Sequence, residues 1–169
     1  MSEHYRMCES DEDYARYTQF YIRHYQNFSK SYTLTDALLH ILGTVSESRI
    51  MLILSESEQV IGWGQYRFLD QAELDNSLGA TVFIDSVIVD SSNRSNRLFV
   101  RGFRQLLQFI EQDNPNVQHI TFNALANNDY LNRLYAKFAT AAGVREDTDE
   151  REHVFTARYD HVKQYLQAF

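Results

Sequence analysis

Three short stretches of this chain set chemically capable side chains at ordered spacings. In Phe83-Ile84-Asp85-Ser86-Val87-Ile88-Val89-Asp90 a carboxylate interrupts an apolar run, and the two-residue period of a strand puts Asp85 on one face with Val87 and Val89. Such a carboxylate serves as a base at neutral pH only where burial raises its pKa; otherwise it is a solvated strand acid and the valines are core. In Arg94-Ser95-Asn96-Arg97-Leu98-Phe99 two guanidinium groups flank the start of a helix. A helix start offers unsatisfied N–H groups and a positive dipole end, which hold anions. Residues 91 to 110 contain four arginines and no acid, so the local field favours an anion, although such a stripe also fits a solvated helix face. In the third stretch Asn128 is followed seven residues later by Tyr135, within Asn-Asp-Tyr-Leu-Asn-Arg-Leu-Tyr-Ala-Lys-Phe. An asparagine there caps the helix that follows or binds a ligand, and the tyrosine is either a buried aromatic or a phenol turned to use.

The elements that position these residues follow from periodicity. His4 to Glu9 reads as a short strand. Asp11 to Phe28, with Tyr14, Tyr17, Tyr21, Tyr25 and Phe28 three or four apart, predicts a helix. Thr33 to Val45 predicts a second, with Leu34, Leu38, Ile41 and Leu42 on one side and Asp36 in its first turn. Arg49 to Leu54, Val60 to Leu69 and Ala80 to Asp90 read as strands, the last the most β-branched. Leu98 to Gln112 predicts an amphipathic helix, Phe99, Phe103, Leu106, Leu107 and Ile110 on one side and Arg97, Arg101 and Arg104 on the other. Val117 to Leu125 is a strand, Asn128 to Ala142 a helix ending before Gly143, and Glu152 to Asp160 a late strand. The order βααβββαβαββ predicts an α/β fold: a mixed, mostly antiparallel sheet with a central parallel pair, covered by helices.

Composition bounds the function. A chain of 169 residues fits one domain, and its 44% hydrophobic content supplies a core without disulfides or metals. The net charge of −7 argues against a nucleic-acid partner and suits a cationic or neutral substrate. Cys8 is the only cysteine and the six histidines show no ligand spacing, so neither a disulfide nor a metal site is expected. The N-terminus lacks an apolar secretory stretch and the longest apolar run, Ile50 to Leu54, is too short to cross a bilayer, which points to a cytoplasmic protein with no membrane partner.

The order of elements, together with these three stretches, resembles the GNAT acyltransferases over nearly the whole chain. The Asp85 strand resembles the family's central strand, with its splay from the next strand. Arg94 begins a match to Arg or Gln, two residues, Gly, one residue, Gly or Ala, in which Arg97 and Phe99 stand at the small-residue positions. The Asn128 to Tyr135 helix is similar to the family helix carrying Asn and then Leu-Tyr-x-Lys; Ala139-Thr140 replaces its Gly-Phe. The resemblance implies an acetyl-CoA-dependent N-acetyltransferase with Asp85 as base and Tyr135 as the acid protonating the departing thiolate. It also implies that Val87, Val89 and Asn128 hold the pantetheine arm, and that Arg94, Ser95, Asn96, Arg97, Leu98 and Phe99 hold the pyrophosphate. The acceptor is then a small-molecule or peptide amine, bordered by the first two helices, where Tyr21, Tyr25, Tyr32, Trp63 or Tyr66 could touch it or be core. The replaced glycines keep a second reading open, a GNAT-like binding or regulatory module without catalysis, and homodimer formation is also open.

Overall fold

The computed structural model describes residues 3–27, 31–70, 80–89, 96–147 and 150–168. Along the chain lie β1 (His4–Met7), α1 (Asp11–His24) with a 3-10 turn at Tyr25–Asn27, α2 (Leu34–Glu47), β2 (Arg49–Leu54), β3 (Val60–Phe68), β4 (Thr81–Val89) and α3 (Asn96–Asp113). They are followed by β5 (His119–Leu125), α4 (Asp129–Tyr135), β6 (Thr140–Asp147), β7 (Glu150–Arg158) and α5 (Tyr159–Gln167). The seven strands hydrogen-bond in the order β1-β2-β3-β4-β5-β7-β6; β4 with β5 is a parallel pair, as expected, while β1–β2, β2–β3, β5–β7 and β6–β7 are antiparallel.

The chain divides into two compact units, Met1–Tyr66 with Ser86–Leu106, and Arg67–Asp85 with Leu107–Phe169. In the first, both opening helices begin at capping boxes. The Ser10 hydroxyl accepts from the Asp13 N–H while the Asp13 carboxylate accepts from the Ser10 N–H, and Thr33 and Asp36 repeat the exchange. Alternation along β2 then builds two layers. Ile50, Leu52 and Leu54 join Tyr17, Phe20, Tyr21, Ala37, Ile41 and Trp63 in one core, with the rings of Tyr17, Phe20 and Tyr21 at 5.6, 5.8 and 5.3 Å from Trp63. Gln65 is fully buried there and hydrogen-bonded: it accepts from the Tyr17 hydroxyl and the Trp63 indole and donates to Thr44 Oγ1. On the other face α3 approaches closely, because a Cβ on Gly64 would meet Leu106 at 3.2 Å and one on Gly102 would meet Ile53 at 3.2 Å.

In the second unit β5 alternates strictly, with Ile120, Phe122 and Ala124 buried and the residues between them half-buried. Phe122 sits under Tyr135, Phe138 and Phe155. Here α5 adds Tyr159, Val162 and Leu166 to the core, its Tyr159 hydroxyl donating to the Leu107 carbonyl and Lys163 pairing with Glu111.

Two expectations are corrected. The helix expected over Asn128 to Ala142 stops at Tyr135, and Thr140–Asp147 is a strand, because β7 draws it into an antiparallel pair from Thr140↔Thr156 to Asp147↔Glu150. The strand expected to run to Asp160 ends at Arg158, and the helix after it was not anticipated. The expected α2 is present, and of the side that carries Leu34, Leu38, Ile41 and Leu42 only Ile41 joins the core, with Ala37 and Thr44, while the three leucines are exposed.

Candidate functional site

The parallel register joins Thr81 to His119 through Ile84 to Phe122, after which β4 runs on to Val89 and β5 to Leu125. The next residue on each strand, Asp85 and Asn123, falls on the sheet face opposite the buried Phe122. The antiparallel register of β5 with β7 sets Leu125 across from Glu152, so Glu152 shares that face with Asn123. Asn123 Nδ2 donates to Glu152 Oε2 at 2.9 Å. A carboxylate only accepts, so the amide nitrogen must face Glu152 and Oδ1 must turn away. That Oδ1 is buried and has no hydrogen-bond partner among the described residues. Asp85, the expected base, is exposed.

On the opposite face α4 carries Tyr135 over β5 and β7. Its ring lies 4.5 Å from Phe122 and 5.6 Å from Phe155, both edge-on, and only 6% of the residue is exposed. Burial pushes its phenol pKa strongly up, with a smaller contribution from Tyr130, so the hydroxyl keeps its proton at any physiological pH. No described residue hydrogen-bonds that hydroxyl. The other expected α4 residue, Asn128, is the N-cap, its side chain accepting from the Leu131 N–H at 3.1 Å.

One turn on, Asn132 ties α4 to both strands. Its Nδ2 donates to the carbonyls of Leu125 and Asn128, each at 2.8 Å, and its Oδ1 lies 2.8 Å from His153 Nδ1. Since the Asn132 oxygen is an acceptor, Nδ1 of His153 must carry the hydrogen, and in the neutral ring Nε2 holds the lone pair. Asn123, Glu152, Asn132 and His153 were not anticipated. The alternation of His119-Ile-Thr-Phe-Asn-Ala-Leu125 marks Asn123 as facing away from the core, but its meeting with Glu152 depends on a register that local sequence does not carry.

In the other unit Val89 is buried, as is Leu98 near the start of α3, and Arg97 is exposed. Phe99, at a small-residue position of the family pattern, lies along its own helix with its ring stacked 5.9 Å from Phe103. Arg101, part of the arginine stripe, forms a bidentate ion pair with Glu3. Arg94 and Ser95 lie outside the described residues; Val87 and Asn96 are described as backbone in β4 and α3. Of the aromatics considered for substrate contact, Tyr21, Trp63 and Tyr66 are core, and Tyr25 and Tyr32 are half-buried. Among the described residues no group of three His, Cys, Asp or Glu could hold a metal ion, and no helix is long and apolar enough to cross a membrane.

Neither a protein-family model nor a curated protein sequence matches this chain. Solved structures do. NAA60 of Arabidopsis thaliana in complex with acetyl-CoA superposes with a TM-score of 0.70 at 15% identity, over 94% of this chain and 99% of that one. The N-acetyltransferase of Staphylococcus aureus Mu50 gives 0.64 at 17% identity over 94% and 99%. The PaiA N-acetyltransferase of Thermoplasma acidophilum in complex with coenzyme A gives 0.63 at 11% over 94% and 100%. At such identities the likeness is one of architecture: this chain has the fold of the GNAT acetyltransferases.

Proposed function

We propose that the chain is an acetyl-CoA-dependent N-acetyltransferase that passes an acetyl group directly to an amine acceptor. The observation that carries this reading is the match of nearly the whole chain to acetyltransferases solved with acetyl-CoA or coenzyme A. Tyr135 supports it, as a buried phenol that keeps its proton and whose hydroxyl no described residue hydrogen-bonds; since Asp85 lies on the other face of the sheet, the thioester passes between β4 and β5, beyond Ile84 and Phe122, to reach both. Asp85 takes a proton from the acceptor ammonium, directly or through water, and the freed nitrogen lone pair attacks the thioester carbonyl. The C–N bond forms, the C–S bond breaks and the Tyr135 hydroxyl protonates the departing sulfur, while the second proton that the acylated nitrogen sheds passes to solvent, from which Tyr135 recovers its own.

Backbone groups of Val87 and Val89 and the capping residue Asn128 hold the pantetheine arm in this reading. Arg94, Ser95, Asn96, Arg97, Leu98 and Phe99 receive the pyrophosphate at the start of α3, where helix N–H groups need no glycine to bind an anion. The acceptor enters as a cation against Asp85 and Glu152, which suits a chain with a net charge of −7. A cytoplasmic location accords with the lone cysteine.

Isothermal titration with acetyl-CoA tests the proposal: binding is expected, and a folded sample showing none at millimolar ligand overturns it. The exposure of Asp85 favours a second reading, a binding module without catalysis. That reading fails if either Asp85→Asn or Tyr135→Phe lowers turnover sharply.

A further inference from the structure

We infer, resting on the proposed N-acetyltransferase activity, that the acceptor is a short alkyl diamine, its reacting nitrogen at Asp85 and its second nitrogen held as an ammonium by Glu152 and Asn123. The strand register gathers these groups on one face. Thr121 and Asn123 alternate with the buried Ile120, Phe122 and Ala124, so they lie on the other side of β5. Asp85 follows the last paired residue of β4, level with Asn123, and Glu152 stands across from Leu125 on β7.

The polar side chains of β5 on this face turn their donors into the protein. The Thr121 hydroxyl donates to the Phe155 carbonyl at 3.0 Å, and the Asn123 amide nitrogen donates to Glu152 Oε2 at 2.9 Å. Asp85, Asn123 and Glu152 therefore present acceptors to a ligand: two carboxylates and the Asn123 Oδ1, which is buried and without a hydrogen-bond partner among the described residues. A buried oxygen left without a donor is costly, and a ligand N–H relieves that cost. Glu152 is half-buried, is oriented by Asn123, and forms an ion pair with no described residue. Arg145 stands opposite it on β6, yet is exposed and makes no ion pair with it.

A ligand that only donates complements such a row. An alkyl diammonium has no acceptor atom, whereas an amino acid or a peptide brings carbonyl or carboxylate oxygens that these groups repel. Spacing sets the length of the chain between the nitrogens. Neighbouring strands lie about 4.8 Å apart and each residue rises about 3.3 Å, so two strands across and two residues along separate the Cα atoms of Asp85 and Glu152 by about 12 Å. Hydrogen bonds of about 2.8 Å at either end leave about 6 Å between the nitrogens, the span of about four carbons. The reacting nitrogen gives up its proton to Asp85, and the second keeps its own against Glu152 and the Asn123 oxygen.

The test is isothermal titration of the full chain, saturated with coenzyme A, with putrescine, butylamine and γ-aminobutyrate, which share a four-carbon chain. Putrescine is expected to bind at least about tenfold tighter than butylamine, the worth of a hydrogen bond to a charged group at the second nitrogen, and γ-aminobutyrate no tighter than butylamine. Glu152→Gln is expected to bring putrescine to the level of butylamine. Equal affinities of the wild type for putrescine and butylamine, binding of neither, or a preference that survives Glu152→Gln overturns the inference. Should that variant fail to fold, the wild type decides through γ-aminobutyrate, whose binding as tightly as putrescine overturns it. The two failures are distinct: a chain that binds neither acetyl-CoA nor coenzyme A loses the proposed function and this inference together, whereas one that binds them and takes both amines alike loses this inference alone.

Discussion

Tyr135 combines a packing role with the proposed chemical one, and a single atom separates them. Phenylalanine at 135 keeps the edge-on contacts with Phe122 and Phe155 and loses only the hydroxyl. Tyr135→Phe is therefore expected to lower kcat by about a hundredfold or more while acetyl-CoA affinity and melting temperature hardly move; a turnover assay beside a titration separates these. The same burial has a consequence for stability at high pH. Tyr5, Tyr135 and Tyr159 all have pKa values held above the unfolded value of 10.0, in each case chiefly by desolvation. The folded state thus keeps protons that the unfolded state releases, so stability is fully present below pH 10 and declines as the pH rises beyond it. Urea unfolding measured upward from pH 8 should show that decline, with a shallower slope in Tyr135→Phe. At the proposed acceptor face Glu152→Gln removes a negative charge but can still hydrogen-bond Asn123. A rise in KM for the amine of roughly tenfold with kcat nearly kept is the expected result, set by the strength of a hydrogen bond to a charged group.

The helices of the first unit start where local chemistry tells them to. Ser10→Ala and Thr33→Ala each remove a reciprocal cap and should each cost about 1 kcal/mol in chemical denaturation. Burial alone would raise the pKa of Asp13, but hydrogen bonds from the Ser10 hydroxyl and the Glu9 and Ser10 N–H groups, together with Arg6, hold it below 3.8. A depressed carboxylate contributes stability above its unfolded pKa that is lost as pH falls through the folded one, so Asp13→Asn should flatten the acid limb of the stability profile. Such caps are legible in sequence because cap and partner are three residues apart. The central strands were legible as well, since Ile50 to Leu54 and Thr81 to Val89 are dense in residues that favour a pleated surface. The limits of reading appear where a distant partner decides. Residues 139 to 142 have a helical composition, yet Thr140 is drawn into a strand by Thr156. The leucines of α2 mark an apolar face without saying that the smaller Ala37 and Thr44 face the core. Among the proposed site residues, Asp85 and Tyr135 could be singled out by their resemblance to the family's patterns, whereas the Asn123–Glu152 pair exists only through the β5–β7 register.

At the scale of the whole molecule the chain's charge becomes an experiment. The chain has a net charge of −7 and the proposed acceptor face carries Asp85 and Glu152, so under that proposal a cationic amine is drawn toward the surface before any short-range contact forms. That attraction is a long-range effect and depends on salt: the Debye length falls from about 30 Å at 0.01 M to about 8 Å at 0.15 M ionic strength. The KM of a primary alkylamine, cationic at neutral pH, should therefore rise several-fold over this interval. The KM of an aromatic amine that is uncharged at the same pH should stay flat, and kcat should be nearly constant for both, because screening acts on encounter rather than on the bound complex. Running the two amines side by side controls for salt effects on acetyl-CoA binding, which are common to both. Parallel salt curves would show that the overall field plays no part in choosing the acceptor, and would leave the Asp85 and Glu152 face as the whole source of any preference for a cation.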